Sequence, residues 1–535
     1  VEKIVLTLEP SGQRIEAEEG STYLQVIRMT GNYVRTDCGG RGTCGKCTIH
    51  LIPSPQPTEA DRKQLSDTEI REGSRLACQH AVSQGTRVIL PDLAQDAKVL
   101  TESVTTTELK PDREEGYGVA IDLGTTTVVC YLMDLSSGTL LDVESSLNPQ
   151  IAFGEDVITR ITLAIRDRDT QAALQDKLWR SVSESISLLL DRQLIPQGQL
   201  ARITVVGNTA MHHLALGLDV ESLSLAPYTP SMVASHVTRG GNLGLDGYGQ
   251  TQMFFAPNIA GWVGGDTVAF ILSQKLHERS EDTLGIDIGT NGEIVAISKG
   301  KLACCSAAAG PAFEGARVTQ GMRAQNGAVE YLTIEEPEEP PEVSVIGGSP
   351  PRGLCGSGIL DAVSELRRTN LLDQSGRLRA GERVVNLKPH GLAYAIRFAD
   401  EFGAEKDIFL TQKDIRQLQL AKAAIRSGIE ILIDHMGTSA DSIHSFYVAG
   451  AFGNYMHPES ALRIGLLPPV SRKKIIPVGN AAGAGARIAL LSEEARNAMD
   501  HIARSARYVE LAREPSFEET FCRAMRLTPQ LAEKT

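Results

Sequence analysis

Gly118-Val-Ala-Ile-Asp-Leu-Gly-Thr-Thr-Thr127 has a partner in the same chain, Gly285-Ile-Asp-Ile-Gly-Thr-Asn-Gly-Glu293. In each stretch an apolar strand ends on a carboxylate, Asp122 or Asp287, and turns at once. The turn residues are Gly124, Thr125 and Thr126 in the first copy and Gly289, Thr290 and Asn291 in the second. Their backbone N–H and hydroxyl groups can hold phosphate oxygens while the aspartate binds hydrated magnesium. One such turn is weak evidence, because short acidic turns are common. Two copies, each behind an apolar strand, predict a duplicated α/β unit that handles a nucleotide phosphate.

Working outward, strands are expected at 119–122 and 128–133, and a helical period runs over 155–192 through Val157, Ile161, Ile165, Leu174, Leu178 and Val182. Ile203-Thr-Val-Val-Gly207 reads as a buried strand opening a helix at Asn208. Thr411 can cap a long helix from Gln412 to about His435, expected to pack in the core. The Glu- and Pro-rich stretch 335–352 reads as a surface insertion or mobile loop.

Upstream of both turns lie Cys38, Cys44, Cys47 and Cys78, three close together and one remote, which is how two-iron clusters are ligated. Gly39, Gly40, Gly42 and Gly45 interleave with the ligands, letting backbone N–H groups approach the sulfides. Zinc also uses C-x2-C, but zinc ribbons usually bring two such pairs and Cys78 stands alone. Strands at 3–8 and 14–18 flank the turn Pro10-Ser-Gly-Gln13, a short helix follows Ser21 or Thr22, and further strands are expected at 47–52 and 87–90. That order suits a small β-grasp ferredoxin. The stretch resembles two-iron ferredoxins, with a first spacing closer to the adrenodoxin type than to the plant type. Residues 95–115, polar and Thr-rich, read as a flexible linker.

Composition sets limits. A chain of 535 residues has room for several domains, and a formal net charge of -13 argues against nucleic acid as a partner. No run of 18 apolar residues appears, so no membrane span is expected. The start, Val1-Glu-Lys-Ile-Val, has no apolar segment of a secretion signal. Nine cysteines make an odd count for a disulfide framework, and Cys130, Cys304, Cys305, Cys355 and Cys522 read as reduced thiols of a cytoplasmic protein. The adjacent Cys304 and Cys305 are expected to be buried small residues.

The paired phosphate turns resemble the acetate kinase, sugar kinase, heat-shock and actin (ASKHA) superfamily, in which two related halves close over ATP. Val448-Ala-Gly-Ala-Phe-Gly-Asn454 is similar to its adenosine motif, which implicates Gly450 and Gly453. Pro477-Val-Gly-Asn-Ala-Ala-Gly-Ala-Gly-Ala486 is similar to a connecting motif and implicates Gly479. Gly261-Trp-Val-Gly-Gly-Asp266 supplies a third carboxylate, Asp266, for the metal and water site. Gly353-Leu-Cys-Gly-Ser-Gly358 reads equally as a packing turn or a nucleotide contact. His212 and His213 are expected in helix packing and at the surface rather than on a metal.

Order and wording along nearly the whole chain resemble the reductive activators of corrinoid proteins. The match is carried by the cysteine loop, Ala120-Ile-Asp-Leu-Gly-Thr-Thr-Thr127, Asn148-Pro-Gln150, Val206-Gly-Asn-Thr-Ala-Met-His212, Ile286-Asp-Ile-Gly-Thr-Asn-Gly-Glu293 and Gln412-Lys-Asp-Ile-Arg-Gln-Leu-Gln-Leu-Ala-Lys-Ala-Ala-Ile425. The fold this implies is an α+β β-grasp ferredoxin domain (1–94), the linker (95–115), and a duplicated α/β actin-like ATPase in two halves (116–280 and 281–515), with a C-terminal tail (516–535). The activity it implies is ATP-dependent reduction of a corrinoid protein from Co(II) to Co(I), using a 2Fe-2S cluster held by the four cysteines, ATP, and magnesium. Its implied partners are a corrinoid protein of a methyltransferase system and a low-potential electron donor, with a homodimer as one possible assembly. Each 100 mV of uphill gap costs roughly 2.3 kcal/mol per electron, which gives ATP turnover its purpose. A small-molecule kinase with a redox module, or a non-catalytic redox and ATP sensor, are the competing functions.

Overall fold

The computed structural model describes residues 3–9, 12–29, 34, 40, 42, 45, 47–65, 67–90, 111–113, 115–388, 390–399 and 401–528. The chain divides into two compact units, Val1–Asp96 with Pro149–Arg160, and Ala97–Asn148 with Ile161–Thr535.

In the first unit, β1 (Lys3–Glu9), β2 (Gln13–Glu18), β3 (Thr48–Ile52), β4 (Ser74–Leu76) and β5 (Arg87–Ile89) form one sheet in the order β2-β1-β5-β3-β4. The pair β1–β5 is parallel and the rest are antiparallel. Alternate residues of β1 and β2 point inward, and Leu6, Leu8 and Ile15 form a core with Tyr23, Leu24 and Ile27 of the helix Tyr23–Met29. This is the expected β-grasp arrangement, with β4 as an added strand. Pro10 and Ser11 of the first turn lie outside the described residues. A buried carboxylate braces the segment before Cys78. Asp61 takes the Leu76 N–H at 2.8 Å and the His80 ring at 2.6 Å, and closes a capping box with Thr58 on the helix Glu59–Gln64.

The second unit repeats one plan twice. Strands β6 (Tyr117–Leu123), β7 (Thr127–Asp134) and β8 (Leu140–Leu147) form an antiparallel meander. Then β9 (Leu200–Gly207), β10 (His236–Arg239) and β11 (Gln252–Phe255) complete a sheet in the order β10-β11-β9-β6-β7-β8. A second meander follows, β12 (Thr283–Ile288), β13 (Gly292–Ser298) and β14 (Lys301–Ala307). Two small sheets intervene: β15 (Ala328–Thr333), β16 (Glu342–Val345) and β17 (Gly353–Leu354), then β18 (Val384–Leu387), β19 (Gly391–Arg397) and β20 (Ile408–Thr411). Finally β21 (Ser445–Ala449), β22 (Ile475–Gly479) and β23 (Arg507–Tyr508) join the second meander in the order β22-β21-β12-β13-β14-β23. In both large sheets the first meander strand takes a parallel strand, β9 or β21, at its free edge. Crossovers through buried helices make those parallel additions.

Several expectations need correction. The helical period over 155–192 is two helices, Val157–Arg166 and Arg168–Arg192, because Asp167 adopts extended backbone and caps the second through Asp169 and Thr170. Stretch 335–352 is not simply a loop, since β16 pairs with β15 inside it. Residues 95–110 and Glu114 of the linker lie outside the described residues, but its end is fastened. The Asp112 carboxylate meets Arg202 at 2.9 Å and Arg496 at 2.8 Å, and its N–H bonds the Leu491 carbonyl. The segment set apart as a tail carries the helix Phe517–Ala524, which packs on the helix Gln412–Met436. The helix Ala481–Leu491, second-half by sequence, packs on the helix Gly265–Ser273 and on β6 and β9. Small residues Ala482, Ala486 and Ala489 let it approach closely, so the two halves share one core.

Candidate nucleotide site and cysteine centre

The duplicated turns bring their carboxylates together. Asp122 ends β6 and Asp287 ends β12, while Asp266 stands in the first turn of the helix Gly265–Ser273. A fourth, Glu293, lies on β13 directly across from Asp287, so the two side chains share a face. All four are half-buried. Burial pushes Asp122 up to about 6, aided by the charge of Asp266 and opposed by the Asn480 amide. Burial and then the charges of Asp266 and Asp122 raise Asp287 to about 7. Asp266 rises to about 6 for the same first reason, against hydrogen bonds from Thr267. Burial also lifts Glu293 well above the usual carboxylate range, with Asp266 and Asp287 adding to it. Their mutual repulsion shows that these carboxylates from both turns stand near one another. Among the described residues, no three His, Cys, Asp or Glu side chains converge closely enough to ligate one ion directly.

The turns themselves are held from behind. Gly124 N–H bonds Thr127 O at 2.9 Å, and Gly289 N–H bonds Asn291 O at 2.9 Å. Asn148 donates its amide to Gly124 O at 2.8 Å, its N–H meets Thr126 O, and Asn208 donates to Thr125 Oγ1 at 3.0 Å. In the second turn Thr290 Oγ1 donates to Glu314 at 2.6 Å. Gly450 opens the helix Gly450–Tyr455 at φ 88°, and a methyl there would lie 2.5 Å from Asp287 Oδ1. Only glycine fits that position. Gly453 packs instead on Val448, and Gly479 ends β22 at φ 65°. Next to it Asn480 caps the helix Ala481–Leu491 through Gly483 N–H and donates to Asp122 at 2.7 Å. Asn148, Asn208, Asn480, Glu293 and Glu314 were not assigned by the sequence reading, although the quoted motifs contain the first four.

Other sequence features resolve as packing. A side chain at Gly356 would strike the Phe313 carbonyl and the Phe452 ring, so the turn Gly353–Gly358 serves close packing. His212 and His213 are not at the surface. Both are buried, His213 bonds Thr209 O at 2.7 Å, and burial drives His212 down to about 3. Cys304 and Cys305 are buried thiols, and burial pushes Cys304 up to about 12.

In the first unit Cys47 and Cys78 place their sulfurs 3.3 Å apart without a disulfide. Cys38 and Cys44 lie outside the described residues. The Cys47 thiol, the Gln79 amide and the Gly42 N–H hydrogen-bond Cys78, and against burial they bring it down to about 6. Gly40, Gly42 and Gly45 have φ of 89°, 72° and 70°. At Gly42 a methyl would lie 2.6 Å from the Gln79 side chain. Two adjacent sulfurs, one of them on a thiol lowered toward thiolate, ringed by backbone that bulkier residues would block, fit a cluster bound through sulfur.

Comparison with known proteins finds matches along nearly the whole chain. Residues 6–83 match the 2Fe-2S iron-sulfur cluster binding domain, 117–279 the RACo middle region, and 281–534 the C-terminal domain of RACo, the ASKHA domain. The chain is 31% identical to the corrinoid activation enzyme RamQ of Eubacterium limosum, over 95% of this chain and 96% of that one. It is 24% identical over 70% of each chain to the Co(II) methylated amine-specific corrinoid protein reductase of Methanosarcina barkeri. A solved reductive activator for a corrinoid, iron-sulfur protein superposes with a TM-score of 0.71 at 29% identity, covering 98% of both chains. A 2Fe-2S domain joined to a duplicated actin-like fold, aligned end to end with such enzymes, makes this chain a member of the reductive activators of corrinoid proteins.

Proposed function

We propose that the protein returns a corrinoid protein from Co(II) to Co(I), with ATP hydrolysis in the second unit making a one-electron step from the first unit favourable. The observation that carries this is the joining, in one chain, of the four-carboxylate cleft to a cluster-binding domain. Cys38, Cys44, Cys47 and Cys78 hold the 2Fe-2S cluster, which supplies a one-electron carrier. The turns at 124–126 and 289–291 hold the ATP phosphates through backbone N–H and hydroxyl groups, and Gly450, Gly453 and Gly479 belong to the segments facing the nucleoside. Asp122, Asp287 and Asp266 are the residues that would hold a hydrated magnesium ion. The ion would supply positive charge against the phosphates, which suits carboxylates that repel one another.

Coupling requires that nucleotide states differ in their affinity for the partner or for one conformation. Under a weak chemical reductant, the visible spectrum of a Co(II) corrinoid protein shifts to Co(I) only with this protein, magnesium and ATP all present. Reduction at full rate without nucleotide would sink the coupling. Transfer of phosphate to a sugar or organic acid, in place of partner-stimulated hydrolysis, would make the protein a kinase.

A further inference from the structure

The two meanders can be compared position by position, because each strand pair has a defined register. In the first sheet Asp122 faces Val129 on β7, and Val129 faces Ser145 on β8. In the second sheet Asp287 faces Glu293 on β13, and Glu293 faces Ser306 on β14. The outer members match: aspartate on the first strand, serine on the third. The middle members do not. Val129 is buried in the apolar core, whereas Glu293 is a half-buried carboxylate.

Directly opposed residues of an antiparallel ladder point to the same face. Glu293 therefore rises beside Asp287 from the same side of the sheet, and the Ser306 hydroxyl donates to its Oε1 at 3.2 Å. The other carboxylates are engaged otherwise. Asp122 accepts from Asn480, Asp266 accepts the Thr267 N–H at 2.7 Å, and Gly450 closes over Asp287 Oδ1. At the ladder position opposite the turn aspartate, the first half carries an apolar side chain and the second a carboxylate. That position is where the two halves differ in chemistry.

Resting on the nucleotide reading above, we propose that Glu293 is the catalytic residue that accepts the proton of the attacking water during ATP hydrolysis. The water oxygen bonds to the γ-phosphorus while its O–H bond breaks and the proton passes to a Glu293 carboxylate oxygen. The bond from the γ-phosphorus to the β–γ bridging oxygen breaks, its electron pair leaving on ADP, and inorganic phosphate is released. The Ser306 hydroxyl fixes the carboxylate, and the proton leaves to solvent when the cleft reopens.

The test uses the full chain and Glu293→Gln, which keeps shape and removes the basic oxygen. ATP affinity, measured with magnesium by calorimetry, stays within threefold of wild type, while kcat falls 100-fold or more. Nucleotide recovered from the quenched variant is ATP, whereas the wild type yields ADP. Glu293→Asp recovers part of the rate and keeps the acidic limb of the pH profile, which also shows that the site folds. Hydrolysis by Glu293→Gln within threefold of wild type overturns the proposal. A tenfold loss of ATP affinity with kcat unchanged also overturns it, placing Glu293 among the ion- or phosphate-holding groups. Failure of the wild type to bind ATP at all is a different result: it removes the nucleotide reading, and this inference with it.

Discussion

Asn480, in the turn after β22, donates its side-chain amide to the Asp122 carboxylate at 2.7 Å across 358 residues of chain. The same side chain, through its oxygen, caps the helix Ala481–Leu491 by accepting the Gly483 N–H at 2.7 Å. One amide thus ties the edge strand β22 of the second sheet to the turn after β6 in the first. Its bond acts against the upward shift of Asp122.

Replacing Asn480 with Ala should therefore do two things. Loss of the cap costs about 1 kcal/mol of stability. Loss of the bond lets Asp122 rise further and turn, and magnesium-dependent ATP hydrolysis falls roughly 10–100-fold, the range typical of groups that orient a metal-facing ligand. Steady-state kinetics with a thermal melt checks both, and unchanged hydrolysis would show that Asp122 needs no orientation.

Asp287→Asn should abolish hydrolysis yet stabilise the protein without nucleotide at pH 7.5. The folded-state pKa of Asp287 is about 7, above its ordinary value, so between about pH 4 and pH 7 the folded state binds more protons than the unfolded state. Stability from this group is highest below pH 4 and falls as pH rises through 7. The amide removes that slope, and Tm at pH 7.5 should rise by about 2 °C or more. A variant that melts lower at pH 7.5, and no differently at pH 5, would contradict the charge-repulsion account.

Cys47→Ser and Cys78→Ser should each remove cluster iron and the associated visible absorbance, with ATP affinity unchanged. Iron analysis and calorimetry on the same anaerobic preparation measure both. Stoichiometric zinc without iron in the wild type would end the cluster assignment.

Lys422 should prove to be the clasp of the C-terminal helix. Fully buried on the helix Gln412–Met436, it donates to the Ala524 and Arg526 carbonyls at 2.5 and 2.6 Å, and Gln419 takes the Met525 carbonyl between them. Lys422→Met leaves buried acceptors unpaired at a cost of about 1–3 kcal/mol. Hydrogen exchange should then speed up in Phe517–Ala524 and leave β6 unaffected. Burial lowers Lys422 to about 7, so its folded form binds fewer protons than the unfolded one between pH 7 and about 10.5. Its contribution to stability therefore rises with pH across that window, and the Met variant should lack this rise.

Local pattern was enough for much of this molecule. The apolar run before each Asp-x-Gly-Thr turn, the glycines among the cysteines, and Thr411 with Asp414 at the start of the helix Gln412–Met436 are short-range devices. Each is set by residues within a few positions of one another, and each was legible as written. Asp167 shows the limit of periodicity. An apolar repeat that continues across a capping residue hides the break, because the cap acts through backbone geometry rather than through hydrophobic spacing.

The sequence alone determined that two Asp-x-Gly-Thr turns and a four-cysteine pattern share this chain, since composition and spacing within a turn dictate backbone shape and donor chemistry. Only the tertiary structure decided which distant groups complete them. Asn480 reaches Asp122 because small residues let the helix Ala481–Leu491 pack back onto the first sheet. Glu293 stands opposite Asp287 because the β12–β13 register pairs an aspartate with the sixth residue after it, whereas the β6–β7 register pairs Asp122 with the seventh, Val129. A one-residue change in a turn reverses which side chains face inward, and that register is fixed by pairing across strands rather than by any motif along one.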